Sequence, residues 1–192
     1  MELECIFAGK GCKYVGARSI LREHVKDCPF DLDVECQYWS CGEMVSMEEM
    51  TDHLKAAHQS LEIFAGDRKV WYYKWTKLHK TGNWRPKIVF SEGSTFFLHA
   101  MTEEDDWMLW VVLLGTEEDA NKYEVIMSIK DDQGGLPLVE STGKVFHTDK
   151  KKKDFVLEEG KLHLNKEIAE NVASQNKDGN LVLKVYYNII SK

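Results

Sequence analysis

The chain has 192 residues, 43% of them apolar and 30% charged, with a formal net charge of −7, a composition that excludes a disordered polymer and suits one or two globular domains. The longest uninterrupted apolar run, Trp107 to Leu114, falls far short of the ~20 residues that a membrane-crossing helix needs, so no membrane partner is expected. An acidic balance also disfavours nucleic acid, because affinity for phosphate backbones comes chiefly from Lys and Arg displacing counterions.

At the N-terminus no basic segment leads into an apolar stretch. No secretory signal is therefore expected, and the predicted location is the cytoplasm, with the nucleus also open to it. All five cysteines fall within the first 41 residues, joined by three histidines within the first 58. An odd number of cysteines in a reducing compartment points to thiolate metal ligands rather than a disulfide framework.

The spacing repeats. Cys5, Cys12, His24 and Cys28 form CX6C-X11-HX3C, and Cys36, Cys41, His53 and His58 form CX4C-X11-HX4H. Each set offers four ligands, two from a turn and two from a following helix, as a closed tetrahedral zinc site requires. Gly9, Gly11 and Gly42 are expected to supply backbone freedom in the metal-binding turns. In the second unit Ser46 and Glu49 have capping-box spacing, and Met47, Met50 and Leu54 recur at helical spacing. The competing reading, thiols serving as small core residues, leaves the repeated spacer and the use of every cysteine unexplained. Units of about 25 residues bury too little apolar surface to fold alone, so zinc, two ions per chain, is the expected structural cofactor.

Zinc fingers invite a DNA-binding reading, and charge decides against it. Residues 1 to 58 carry six Lys and Arg against eleven Asp and Glu. The second predicted helix presents Glu48, Glu49 and Asp52, where a groove-reading helix presents Arg, Asn or Gln.

Beyond residue 58 the texture changes to β-branched and aromatic runs. Strands are predicted over Val70 to Trp75, Lys87 to Phe90, Thr95 to Met101, Trp107 to Leu114, Lys122 to Ile129, Leu136 to Phe146 and Asn180 to Ile190, with one helix around Asn165 to Ser174. Gly82-Asn83, Gly134-Gly135 and Asp178-Gly179-Asn180 read as turns. Mostly antiparallel strands with short turns over ~130 residues suit a β-sandwich.

Catalytic motifs are absent from this stretch, including GXSXG, HEXXH and a phosphate-cradling loop. Glu103 to Asp106 reads as a solvated hairpin loop and Lys150 to Lys153 as an exposed basic loop. His79, His99, His147 and His163 read as ordinary polar residues. Trp71, Trp75 and Trp84 lie close together beside basic residues, so at least one of them is expected to serve an interface rather than the core.

From Cys5 to Ile190 the order of these parts resembles the seven-in-absentia (SIAH) family of E3 ubiquitin ligases. The resemblance rests on the two Cys/His sets and on the phrases AHQSLEIFAGD (57 to 67), WVVLLGTEEDANKYEVIMSI (110 to 129) and NLVLKVYYNII (180 to 190). It implies a mainly β fold: tandem zinc fingers over residues 1–58, then a TRAF-like antiparallel β-sandwich over residues 59–192 that dimerises and binds degron-type peptides of protein substrates along a sheet edge. Register from Gly66 puts Phe64 at the floor of the implied groove and Trp84 at its wall, with Gly82, Asn83 and Pro86 nearby. Arg68 stands where the family tends to place an acidic residue, and Pro86 where it has an apolar one, which implies a more acidic peptide. The family's RING needs about eight Cys/His ligands, and all five cysteines of this chain are already assigned. The expectation is a substrate-recognition adaptor of the ubiquitin-proteasome pathway without an intrinsic active site. It would form homodimers, or heterodimers with RING-containing homologues. The alternative is the substrate-binding part of an active SIAH-type ligase whose RING lies outside these residues.

Overall fold

Two ββα units open the chain in the computed structural model, which describes residues 2–10, 12–26, 28, 31, 33–58, 63–65, 70–74, 82–104, 106–130, 136–148, 160–175, 177 and 181–192. In the first unit β1 (Glu2–Glu4) pairs antiparallel with β2 (Val15–Ala17), and α1 (Arg18–Lys26) follows. The second repeats the plan with β3 (Asp33–Glu35), β4 (Met44–Ser46) and α2 (Met50–Ala57). Met50 and Leu54, one helical turn apart, form the buried face of α2. The Ser46 hydroxyl accepts from the Glu49 N–H at 3.2 Å and donates to the Glu49 carboxylate at 2.9 Å. These bonds close a turn ahead of the helix, which begins at Met50.

The remaining elements are β5 (Ile63–Ala65), β6 (Val70–Lys74), β7 (Gly82–Asn83), β8 (Lys87–Ser91), β9 (Ser94–Glu103), β10 (Asp106–Leu113), α3 (Glu117–Ala120), β11 (Tyr123–Lys130), β12 (Pro137–Lys144), β13 (Phe146–His147), β14 (Leu162–Asn165), α4 (Lys166–Val172), β15 (Ser174–Gln175) and β16 (Leu181–Ser191). They form a mainly β body of two sheets. In the seven-stranded sheet β9 and β10 are central, with β7, β8 and then β5 on the β9 side and β13 and β14 on the β10 side. The other sheet runs β12-β11-β16, with β6 and β15 also pairing to β16.

Alternation along the strands sorts the core. Phe96, Leu98 and Ala100 of β9 and Trp107, Leu109, Val111 and Leu113 of β10 face Val125, Met127, Ile129, Leu183, Val185, Tyr187 and Ile189 of the opposite sheet. The intervening residues Phe97, Met101, Met108, Trp110 and Val112 are buried as well, packed with Ile88 and Phe146 against Val34, Cys36, Val45, Met50 and Leu54 of the second ββα unit. Strands covered on both faces read as continuous apolar runs, which accounts for Trp107 to Leu114. His99 lies on this outer face, 3% exposed and stacked on Trp110, so it is a core residue rather than an ordinary surface one.

The structure corrects three sequence expectations. The strand predicted over Leu136 to Phe146 is two strands: β12 belongs to one sheet, and β13, after the buried Val145, crosses to the other to pair parallel with β10. Gly82-Asn83 is not a turn but strand β7, paired with Thr102 and Met101. Most strand pairs are antiparallel, as expected, and among the described residues β5 with β8 and β13 with β10 are the parallel ones. Gly9 and Gly42 do not adopt left-handed backbone; the first metal-binding turn is a 3-10 turn at Ala8–Lys10. Gly11, Arg68, Trp75, His79, Gly134-Gly135, Lys150 to Lys153 and Asp178-Gly179-Asn180 lie outside the described residues.

Short polar devices set the connections. Between β10 and β11, Thr116 caps α3 by accepting from the Asp119 N–H at 3.2 Å. Thr148 brackets the same corner with hydrogen bonds to Gly115 N and O, each 3.2 Å. Glu103 and Asp106 pair across the β9–β10 hairpin, as a solvated acidic loop predicts, and Glu104 adopts a positive φ of 53°. Among the described residues no helix is long and apolar enough to cross a membrane.

The buried Gly143 of β12 lies so close to the turn at Gly160 that an added Cβ would sit 2.3 Å from the Gly160 carbonyl oxygen. Gly143→Ala must displace backbone, and chemical denaturation is expected to show a loss of about 1–3 kcal/mol, the usual cost of overpacking.

Candidate metal centres and sheet edge

Each Cys/His set is gathered by the same scaffold: one cysteine just after the first strand, one before the second, and two ligands at the end of the helix. Backbone bonds fold the turns. Cys5 N–H donates to Tyr14 O at 3.0 Å and Cys12 N–H to Phe7 O at 3.2 Å; Cys36 N–H donates to Glu43 O at 2.8 Å and Cys41 N–H to Tyr38 O at 3.0 Å.

In the first set Cys5 and Cys28 Sγ are 3.8 Å apart, Cys28 and Cys12 Sγ 3.7 Å, and Cys12 Sγ and His24 Nε2 3.4 Å. In the second, Cys36 Sγ lies 3.4 Å from His58 Nε2 and 3.2 Å from His53 Nε2, with Cys41 Sγ 3.7 Å from His53 Nε2. A tetrahedral zinc with ordinary Zn–S and Zn–N bonds sets ligand separations of about 3.8 Å for S···S and about 3.6 Å for S···N. The sulfur spacing is also far from the ~2.05 Å of a disulfide. All four ligand atoms in each set lie within 4.8 Å of one another. Both sets fit zinc, with Cys5, Cys12, His24 and Cys28 holding one ion and Cys36, Cys41, His53 and His58 the other. Four protein ligands leave no open position, so a zinc ion held at either set would be structural.

His58 lies five positions beyond His53, a step that on a continuing helix would point their side chains ~140° apart. The helix ends instead: His58 is its C-cap at φ −117° and ψ 28°, its N–H donating to Leu54 O. The ligand rings are held by partners the spacing did not reveal. Tyr14 stacks on His24 at 4.0 Å and Tyr38 on His58 at 4.2 Å. The Glu43 carboxylate lies 3.6 Å from His53 Nδ1, the position from which a carboxylate fixes the tautomer that presents Nε2 to a metal. A tyrosine two residues beyond a ligand cysteine in both units, Tyr14 after Cys12 and Tyr38 after Cys36, was the available signal. A backbone hydrogen bond with Tyr14, helped by hydrogen bonds with Cys28 and Cys5, holds the Cys12 thiol below its usual range against the opposing effect of burial.

The two sites differ in what surrounds them. Cys5, Cys12 and Cys28 form a small separate cluster with Leu21, Phe7 and Val25. Cys36, fully buried, belongs to the larger cluster that includes Trp110 and Phe97 of the seven-stranded sheet.

The residues proposed for a peptide groove fall along one side of this sheet. Phe64 sits in the short outer strand β5, opposite Val89 of β8, which in turn faces Phe96. Gly82 and Asn83 pair farther along β9, at Thr102 and Met101, and Trp84 N–H donates to Ala100 O at 2.9 Å. Phe64 and Trp84 are thus offset by four residues of β9, roughly 13 Å. Trp84 is half-buried against the inter-sheet core, and Pro86 is buried in the link between β7 and β8. Of the remaining histidines, His163 is exposed and pairs with Asp106 at 3.2 Å.

Neither a scan of protein-family models nor a search of curated proteins gives a match to this sequence.

Metal analysis of the folded chain is expected to give two zinc ions. Cys12→Ala and Cys41→Ala should each remove one, with unequal consequences. Loss of the first leaves sandwich unfolding unchanged. Loss of the second uncovers the outer sheet face and lowers stability by about 1.5–3 kcal/mol for each large side chain exposed, read by denaturation with tryptophan fluorescence. Glu43→Gln should retain two zinc ions at saturation yet weaken the second site by about tenfold or more in competition with a chelator.

Proposed function

We propose that this chain is a substrate-recognition module of the ubiquitin-proteasome pathway, similar in its parts to the SIAH family, with two zinc-held units, the second of which braces a β-sandwich that captures extended peptides. The observation that carries the reading is the closure of both Cys/His sets by four protein ligands, ahead of a two-sheet body with a short outer strand. Zinc without an open position supports shape rather than catalysis. The acidic first 58 residues support a protein partner over nucleic acid.

Capture by strand addition needs an edge with backbone groups to offer and apolar side chains to select alternate residues. Strand β5 is the outermost strand on the β8 side of its sheet, and Phe64, Trp84 and the neighbouring Gly82, Asn83 and Pro86 are the residues assigned to that edge, with Arg68 biasing it toward acidic peptides. Homodimerisation through the sandwich belongs to the same reading.

Peptide titration is the direct test. Trp84→Ala is expected to weaken binding by ~2 kcal/mol or more, the scale of an interface hot spot, with zinc content unchanged. Arg68→Asp should shift preference toward less acidic peptides and reduce the salt sensitivity of binding. Incubation with E1, E2 and ubiquitin should yield no ubiquitin chains from residues 1 to 192 alone, and light scattering should show a dilution-dependent dimer. Chain formation, or unchanged affinity in Trp84→Ala, would overturn the reading.

A further inference from the structure

The two Cys/His sets differ in thiol count as well as in setting. Cys5, Cys12 and Cys28 give the first set three sulfurs to one imidazole, where Cys36 and Cys41 give the second two to two. Cys28 Sγ lies 3.7 Å from Cys12 Sγ and 3.8 Å from Cys5 Sγ, so one sulfur has two neighbours with which it can close a disulfide. Closing either pair to about 2.05 Å brings the sulfurs together by less than ~2 Å. The cost of that movement is local. Among the described residues these cysteines pack with Leu21, Phe7 and Val25, and a segment with few buried apolar contacts opens at low free energy. Opening the second set instead separates Cys36, Met50 and Leu54 from Phe97 and Trp110 of the sheet.

We propose that the first Cys/His set is a redox-released zinc site, in which hydrogen peroxide joins Cys28 to Cys12 or Cys5 as a disulfide and frees the ion, while the second set keeps its own. One thiolate attacks a peroxide oxygen and breaks the O–O bond, giving a sulfenic acid and hydroxide. The neighbouring thiolate attacks that sulfur, forming the S–S bond and displacing a second hydroxide. Two thiolates thus lose two electrons, the peroxide gains them, and two protons complete two water molecules. His24 and one cysteine remain, short of the four ligands of a closed site. The remaining thiol can attack the new disulfide, an exchange that a two-cysteine set lacks, so a thiol reductant and zinc restore the site.

Exposure alone predicts the opposite order. Cys5, Cys12 and Cys28 are 3%, 6% and 5% exposed, whereas Cys41 of the second set is half-buried. The order of release therefore separates control by local opening from control by surface access.

The proposal rests on zinc occupying both sets, which the metal content of the untreated chain checks separately; it does not depend on the peptide or ubiquitin reading. Residues 1–28 hold no tryptophan, while Trp39 and Trp110 belong with the second set's cluster, so tryptophan fluorescence reports the second unit and the sandwich. The full zinc-loaded chain is treated with hydrogen peroxide, with released zinc read by a colorimetric chelator. One ion per chain is expected to leave at least about tenfold faster than the other, with tryptophan fluorescence unchanged and the chain lighter by two hydrogens. Peptide mapping should place the disulfide at Cys28, and reductant with added zinc should reverse the release. Cys28→His retains four ligands without the shared sulfur and should release its first ion several-fold more slowly; mapping of the wild type decides the assignment whether or not this variant loads zinc. Release of both ions together, earlier release with a Cys36–Cys41 disulfide, a fluorescence change accompanying the first ion, or retention of both ions at peroxide levels that oxidise free cysteine would overturn the proposal. Fewer than two ions in the untreated chain would overturn the metal assignment beneath it.

Discussion

Strands β9 and β10 carry large apolar side chains on both faces, and a sheet in that condition must be covered twice. The inner face is met by β11 and β16, which close the sandwich around Leu109, Val111 and Met127. The outer face, with Phe97, Trp110 and Val112, is met by Met50, Leu54 and Cys36 of the second Cys/His unit. That unit is too short to hold its own shape through apolar burial, so the outer cover depends on the metal set at Cys36, Cys41, His53 and His58. A metal ion held there would couple its coordination to the packing of the sheet, because Cys36 belongs to the same cluster.

The first unit escapes that coupling. Its ligands enclose a cluster of their own with Leu21, Phe7 and Val25, and Ile6, Val15 and Ile20 on its surface remain exposed. The same ligand plan therefore does two jobs. One copy braces the sandwich, and the other stands as a self-contained unit.

Most of the site was legible because metal binding imposes its geometry on sequence spacing. A closed tetrahedral site needs four ligands, and two Cys/His sets with the same eleven-residue spacer each supply four. The supporting groups were not legible. Tyr14, Tyr38 and Glu43 act by stacking on or facing a ligand imidazole, contacts set by where the turn places a side chain, and the two-residue step from a ligand cysteine to each tyrosine is the one trace of them in the sequence. The positions of seven strands were readable from β-branched and aromatic runs, but β5, β7, β14 and β15 were not. They are two to four residues long, too short for a period to show, and exist because a longer neighbour offers them hydrogen-bonding partners.

By itself, the sequence determined the two four-ligand sets, the β character of the second part, the acidic sign of the first 58 residues and the helical face of Met50 and Leu54, because ligand count, charge and periodicity are local properties of a chain. Tertiary structure alone decided that Trp107 to Leu114 is apolar throughout because it is covered on both sides, that the segment from Leu136 to Phe146 leaves one sheet for the other after Lys144, and that Gly82-Asn83 pairs as a strand. It also decided that only the second Cys/His set shares a core with the sandwich. Each of these depends on which surfaces meet after the chain has folded, and burial against a distant partner leaves no spacing for a sequence to display.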